Sequence, residues 1–178
     1  MNIQEESTVD LLILIEQKLK AKAPLVFSNL GGGTHGHLFL VIYPTQFNLL
    51  SNAAIIRPLH PVPLTIPDGT TAAMSVVVKY QYNEQLRFFR EVNGVEKALI
   101  SQIVSGINAE FLTALRNRAT NAIPGSVHLV LDYLNDTYRK VTPQMIDKKE
   151  TLLSAKNYTP SSPIDTIFTA VEDLVDYA

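Results

Sequence analysis

Residues 70–94, TTAAMSVVVKYQYNEQLRFFREVNG, decide the fold class. Val77, Tyr80, Glu84, Phe88 and Glu91 recur at steps of three or four, the spacing of one helix face, and the stretch contains no proline. The spacing predicts a helix to about Val92, with Asn93-Gly94 as its C-terminal cap. Further along, Val95 to Ile107 carries Leu99, Ile103, Val104 and Ile107, and Ala109 to Arg118 repeats the pattern with Phe111, Leu112 and Leu115. Pro124-Gly125 marks a break. Ser126 can then cap a helix through Arg139 that carries Val127, Val130, Leu131, Leu134 and Tyr138. Thr142-Pro143 opens another with Met145, Ile146, Leu152 and Leu153. Finally Ile164, Ile167, Phe168, Val171, Leu174 and Val175 form an apolar stripe that runs to the end of the sequence, so a domain truncated at its C-terminus is expected.

On the N-terminal side, Arg57 to Pro67 holds four prolines, which remove amide donors and force the preceding residues toward extended backbone. Leu59, Val62, Leu64 and Ile66 alternate with proline and polar positions there, which predicts an extended arm laid across a surface. Pro44-Thr45 favours a short helix over Gln46 to Ala53. The apolar run Leu38 to Tyr43 reads either as a strand or as the start of a buried helix. Before the turn Asn29 to Gly33, Ser7 and Asp10 stand at capping offset ahead of Leu11 to Ile15, and Lys18, Lys20 and Lys22 bias the far end of that helix toward positive charge. The expected architecture is all-α or mainly α, a bundle of about six to eight helices with a Pro-rich extended arm. Its parts are an N-terminal helix, Gly-rich turn and short apolar segment at 1–56, the arm at 57–69 and a helical domain at 70–178.

Hydrophobic residues make up 46% of the chain and charged residues 18%, against about 25% charge in an ordinary domain. The deficit of charge suits a surface that another chain covers, and equally the ordinary scatter of composition, since soluble monomers also expose much apolar surface. The net charge of −2 arises from 15 basic and 17 acidic residues spread along the sequence, which gives no domain-wide electrostatic footprint for nucleic acid. The absence of cysteine excludes disulfides, zinc knuckles and a thiol nucleophile, and it fits a cytoplasmic protein. The apolar run Val9 to Ile15 is too short to span a membrane, so no membrane partner is expected.

Gly31-Gly32-Gly33-Thr34-His35-Gly36-His37 is the one motif with chemical potential. A phosphate loop would open a helix and end in Lys-Ser/Thr, whereas an apolar run follows and the next lysine is Lys79. Metal binding by His35 and His37 would need further ligands from His60, His128 or distant carboxylates. A plain turn with hydrogen-bonded histidines is the reading we adopt. No Gly-x-Ser-x-Gly elbow is present, and Glu172, Asp173 and Asp176 describe an ordinary solvated helix face. Tyr80, Tyr82, Phe88 and Phe89 mix with Lys79, Arg87 and Arg90 as in single-strand nucleic-acid binders, but core aromatics beside snorkelling basic residues are the reading we adopt. No catalytic residue, cofactor or metal is expected.

Ala98-Leu99-Ile100-Ser101-Gln102-Ile103, Leu115-Arg116-Asn117, the run Val130 to Tyr138 and Pro163-Ile164-Asp165-Thr166-Ile167-Phe168 together resemble Gag proteins of copia-type LTR retrotransposons. Leu134 and Tyr138 match the Leu-x-x-x-Tyr end of a helix in that family. The resemblance spans roughly residues 70–178. It implies a non-enzymatic helical capsid domain that self-associates into a shell around element RNA. The chain lacks the Cys/His zinc knuckle and basic tail of a full Gag, so RNA contact is expected through regions outside it. The expected interface comprises Arg57, Leu59, Pro61, Pro63, Leu64 and Ile66 of the arm with Phe168, Leu174, Val175 and Tyr177 of the last helix. The alternatives are a non-catalytic protein- or peptide-binding adaptor and a metal-dependent enzyme using His35 and His37.

Overall fold

In the computed structural model, residues 3–123, 125–155, 163 and 165–177 are described. The chain is mainly helical, with no strand among the described residues, as the periodicity predicts. Six α-helices occur there: α1 (Ile3–Lys22), α2 (Pro44–Leu50), α3 (Ala72–Gly106), α4 (Val127–Tyr138), α5 (Pro143–Ser154) and α6 (Asp165–Tyr177). Four short 3-10 segments, Ala23–Leu25, Leu30–Gly32, Leu38–Leu40 and Ala109–Leu115, complete the helical content. The chain divides into two units, one spanning Gln17–Leu131 and the other formed by the chain to Glu16 with Asp132 onward.

The centre of the larger unit is α3, which runs without a break through Asn93-Gly94 rather than ending there. Asn93 turns its amide back into the helix, donating from Nδ2 to the Phe89 carbonyl four residues earlier at 2.9 Å. The buried residues Val92, Glu96, Leu99 and Ile103 cross the Asn-Gly pair at steps of four, three and four. Covering that seam outweighs the roughly 1 kcal/mol that a helical glycine costs. The segment Val95 to Ile107 is therefore the second half of one helix. Ala109–Leu115 is 3-10 rather than α, with Asn108 capping it by accepting from the Glu110 amide, and it buries Leu112.

The run Leu38 to Tyr43 is neither strand nor α-helix. It makes a 3-10 turn and buries four consecutive residues, Phe39 to Ile42, a sequence pattern that carries no period to read. Its Phe39 ring meets Phe47 of α2 edge-on at 5.9 Å, and Phe47 is fully buried. His128 of α4 holds the end of the run, donating from Nε2 to the Ile42 carbonyl at 2.9 Å while stacking on Tyr43.

The smaller unit is built where Val9 of α1, Met145 of α5 and Tyr177 of α6 meet, with Ile13 and Val141 beside them. Ser7 and Asp10 lie inside α1, so neither caps it, and Asp10 instead accepts from Lys149 at 2.7 Å. The Lys149 ammonium also sits 4.1 Å above the Tyr177 ring. Thr142 caps α5 as its sequence predicts, accepting from the Met145 amide with Pro143 in the first turn. In α4, Tyr133 and Tyr138 meet edge-on, and the hydrogen bond with Tyr133 holds the Tyr138 phenol above its ordinary pKa.

Candidate functional site

The proline-rich segment forms no helix and lies along α3. Arg57 anchors its start: the guanidinium donates from Nη1 to Glu96 Oε1 at 3.0 Å and from Nη2 to Oε2, a two-pronged pair. Glu96 is buried while Arg57 stays half in water. Three residues on, the His60 ring meets Phe89 edge-on at 4.9 Å, and its Nδ1 lies 2.8 Å from the Pro61 carbonyl. An apolar cleft remains between the arm and α3, lined by Leu59, His60, Gln85 and Phe88 among others.

Of the expected arm residues, Pro61 is buried against the chain itself, Ile66 is half-buried, and Leu59, Pro63 and Leu64 are exposed. On α6, Phe168 and Val175 are exposed and Leu174 lines a shallow cleft with Leu152 and Leu153 of α5. Tyr177 differs from its helix neighbours: its ring is buried among Val9 and Met145, an intrachain role that removes it from any surface. Of the rest of the terminal stripe, Ile164 and the side chain of Ile167 lie outside the described residues.

His35 donates from Nε2 to the Leu50 carbonyl at 3.0 Å, and its ring meets Phe47 edge-on. His37 is fully buried, with Nδ1 3.1 Å from the Val26 carbonyl and Nε2 3.5 Å from Glu91 Oε1. Both rings thus tie backbone segments together, as the turn reading expects. No group of three or more His, Cys, Asp or Glu able to hold a metal ion occurs among the described residues.

The aromatic and basic cluster of α3 is not core as a whole. Tyr80 is exposed, while Phe88 and Phe89 are half-buried. Arg87 lies 4.4 Å over the Phe88 ring and pairs with Glu84 and Glu91. The hydrogen bond to Glu84, with both carboxylates nearby, raises its pKa. The residue that sequence reasoning passed over is Glu96. Its signal was available: a carboxylate set at core spacing between Val92 and Leu99 needs a cation, and the arm supplies one.

No family model, curated protein or solved structure matches the chain. No helix among the described residues is long and apolar enough to cross a membrane.

Proposed function

We propose that this chain is a capsid-like structural protein that self-associates into oligomeric shells in the cytoplasm, with element RNA recruited by regions outside it. The observation that supports this reading is the set of large apolar side chains left uncovered on the arm and on α6, Leu59, Val62, Phe168 and Val175 among them. A surface of this kind, on a chain with few charges, is stabilised when copies cover one another.

Light scattering across a dilution series tests the reading. Particles whose mass grows with concentration are expected, and a stable monomer at high concentration would sink it. Replacing both Pro61 and Pro63 with Ala loosens the arm and is expected to weaken particle formation more than it lowers the unfolding midpoint. Equal losses in the two measurements would remove the arm from the interface.

A further inference from the structure

The first half of α3 is thinly covered among the described residues, the arm meeting it only toward Gln85, Phe88 and Phe89. From Ala72 to Glu91 no side chain is buried, and the first buried residue is Val92. Within this half, Met74, Val76, Val77 and Tyr80 are 58%, 66%, 47% and 66% exposed. The twelve residues Ala72 to Asn83 contain a single charge, Lys79. Helices in proteins are held mainly by packing of an apolar face, and Thr71, capping α3 by accepting from the Met74 amide, supplies only a small part of what this end requires.

Charge and geometry select the occupant. A charge-poor apolar face is not matched by a strongly charged partner, whereas it is matched by its own copy. Ala73, Met74, Val77, Tyr80, Gln81 and Glu84 share one face at steps of three and four. In an antiparallel two-fold pairing centred on Val77, Met74 faces Tyr80 of the second copy and Val77 faces itself. Glu84 then comes beside the second helix's N-terminus, where the helix dipole favours a carboxylate. A parallel pairing would instead set Glu84 beside Glu84 of the second copy, which is unfavourable. The twelve residues run ~18 Å. Two such helices cover on the order of 1,000 Å² in total, the lower edge of specific interfaces, so the pairing is reversible.

We infer that the stretch Ala72 to Asn83 of α3 is a homotypic docking surface that pairs antiparallel with the same stretch of a second copy. The inference rests on the self-association reading and names its contact.

The cysteine-free sequence makes single-cysteine reporters direct. Under mild oxidation of the full chain, Val77→Cys is expected to form disulfide-linked dimer at least tenfold faster than Leu49→Cys, which reports random collision from an exposed site on α2. In an equal mixture of Met74→Cys and Tyr80→Cys proteins, the mixed dimer is expected to exceed the half that chance gives. Helix content by circular dichroism checks that each variant is folded. Val77→Cys cross-linking no faster than Leu49→Cys, or an excess of like-with-like dimers in the mixture, overturns the pairing. If particles still form in light scattering when it fails, the α3 contact falls and self-association stands. A protein that is monomeric at every concentration removes both.

Discussion

Gly36→Ala is expected to lower the stability of the fold by about 4 kcal/mol, most of the total for a fold at the lower end of the usual 5–15 kcal/mol. Gly36 adopts φ +48°, a left-handed conformation that costs an L-residue roughly 1–2 kcal/mol. An added Cβ would also collide with the carbonyl oxygens of Val26 and Pro24, which are backbone atoms and cannot swing aside. The same segment receives His37, whose amide donates to the Ala23 carbonyl at 3.0 Å and whose ring contacts the Val26 carbonyl. Pushing residues 24–26 away therefore exposes or orphans buried hydrogen bonds at ~1 kcal/mol or more each. Urea unfolding followed by circular dichroism measures the effect. Gly94→Ala serves as its counterpart: this glycine is helical, a Cβ there meets nothing within 4 Å, and a gain of roughly 0.5–1 kcal/mol is expected. A Gly36→Ala protein as stable as the parent would mean that the turn does not hold the larger unit together.

Arg57→Ala is expected to cost about 2–3 kcal/mol and to release the arm. Removing one partner of a buried pair costs ~3–5 kcal/mol because a charge is left without compensation. The Glu96 side chain is 6% exposed and that of Arg57 45%, so water reaches the vacated space and the figure falls below that range. Glu96→Ala is expected to cost less, since Arg57 turns out into solvent with its charge hydrated. That asymmetry distinguishes a buried carboxylate from an ordinary surface pair, which contributes ~0–1 kcal/mol from either side. The double variant should recover part of the Arg57→Ala loss. Limited proteolysis reads the arm directly: faster cutting between residues 57 and 67 in Arg57→Ala, with the helical content retained, is the expected outcome. Unchanged cutting would mean that the His60 and Phe89 contact holds the arm without the ion pair.

Helices α4 and α5 were legible because their signals are local. Thr142-Pro143 states a start, and Val127, Val130, Leu131 and Leu134 state a face. The arm was legible for the same reason, since proline acts on its own backbone and on the residue before it. Asn93-Gly94 misled because a local stop signal was overruled by a seam that only the folded core rewards. The Leu38 to Tyr43 run had no readable period because all its middle residues are buried. Local rules were equally silent on the pairing of Glu96 with Arg57, 39 positions apart, and on the meeting of Val9 with Met145 and Tyr177. For the candidate surface, sequence located the arm and the last helix, but Tyr177 and Pro61 carry the same apolar label as their exposed neighbours. Only the fold separates the buried from the available.

The unbroken run of α3 has a mechanical consequence. Glu96, which takes the arm, and Val77, on the bare end, sit on one rod about 28 Å apart. A helix transmits tilt without absorbing it, so a rotation of roughly 10° about the buried seam sweeps the far tip through about 5 Å. Small changes in how the C-terminal half of α3 is seated thereby become large changes in where its tip points. In the proposed shell, that leverage would let one kind of subunit tile surfaces of different curvature.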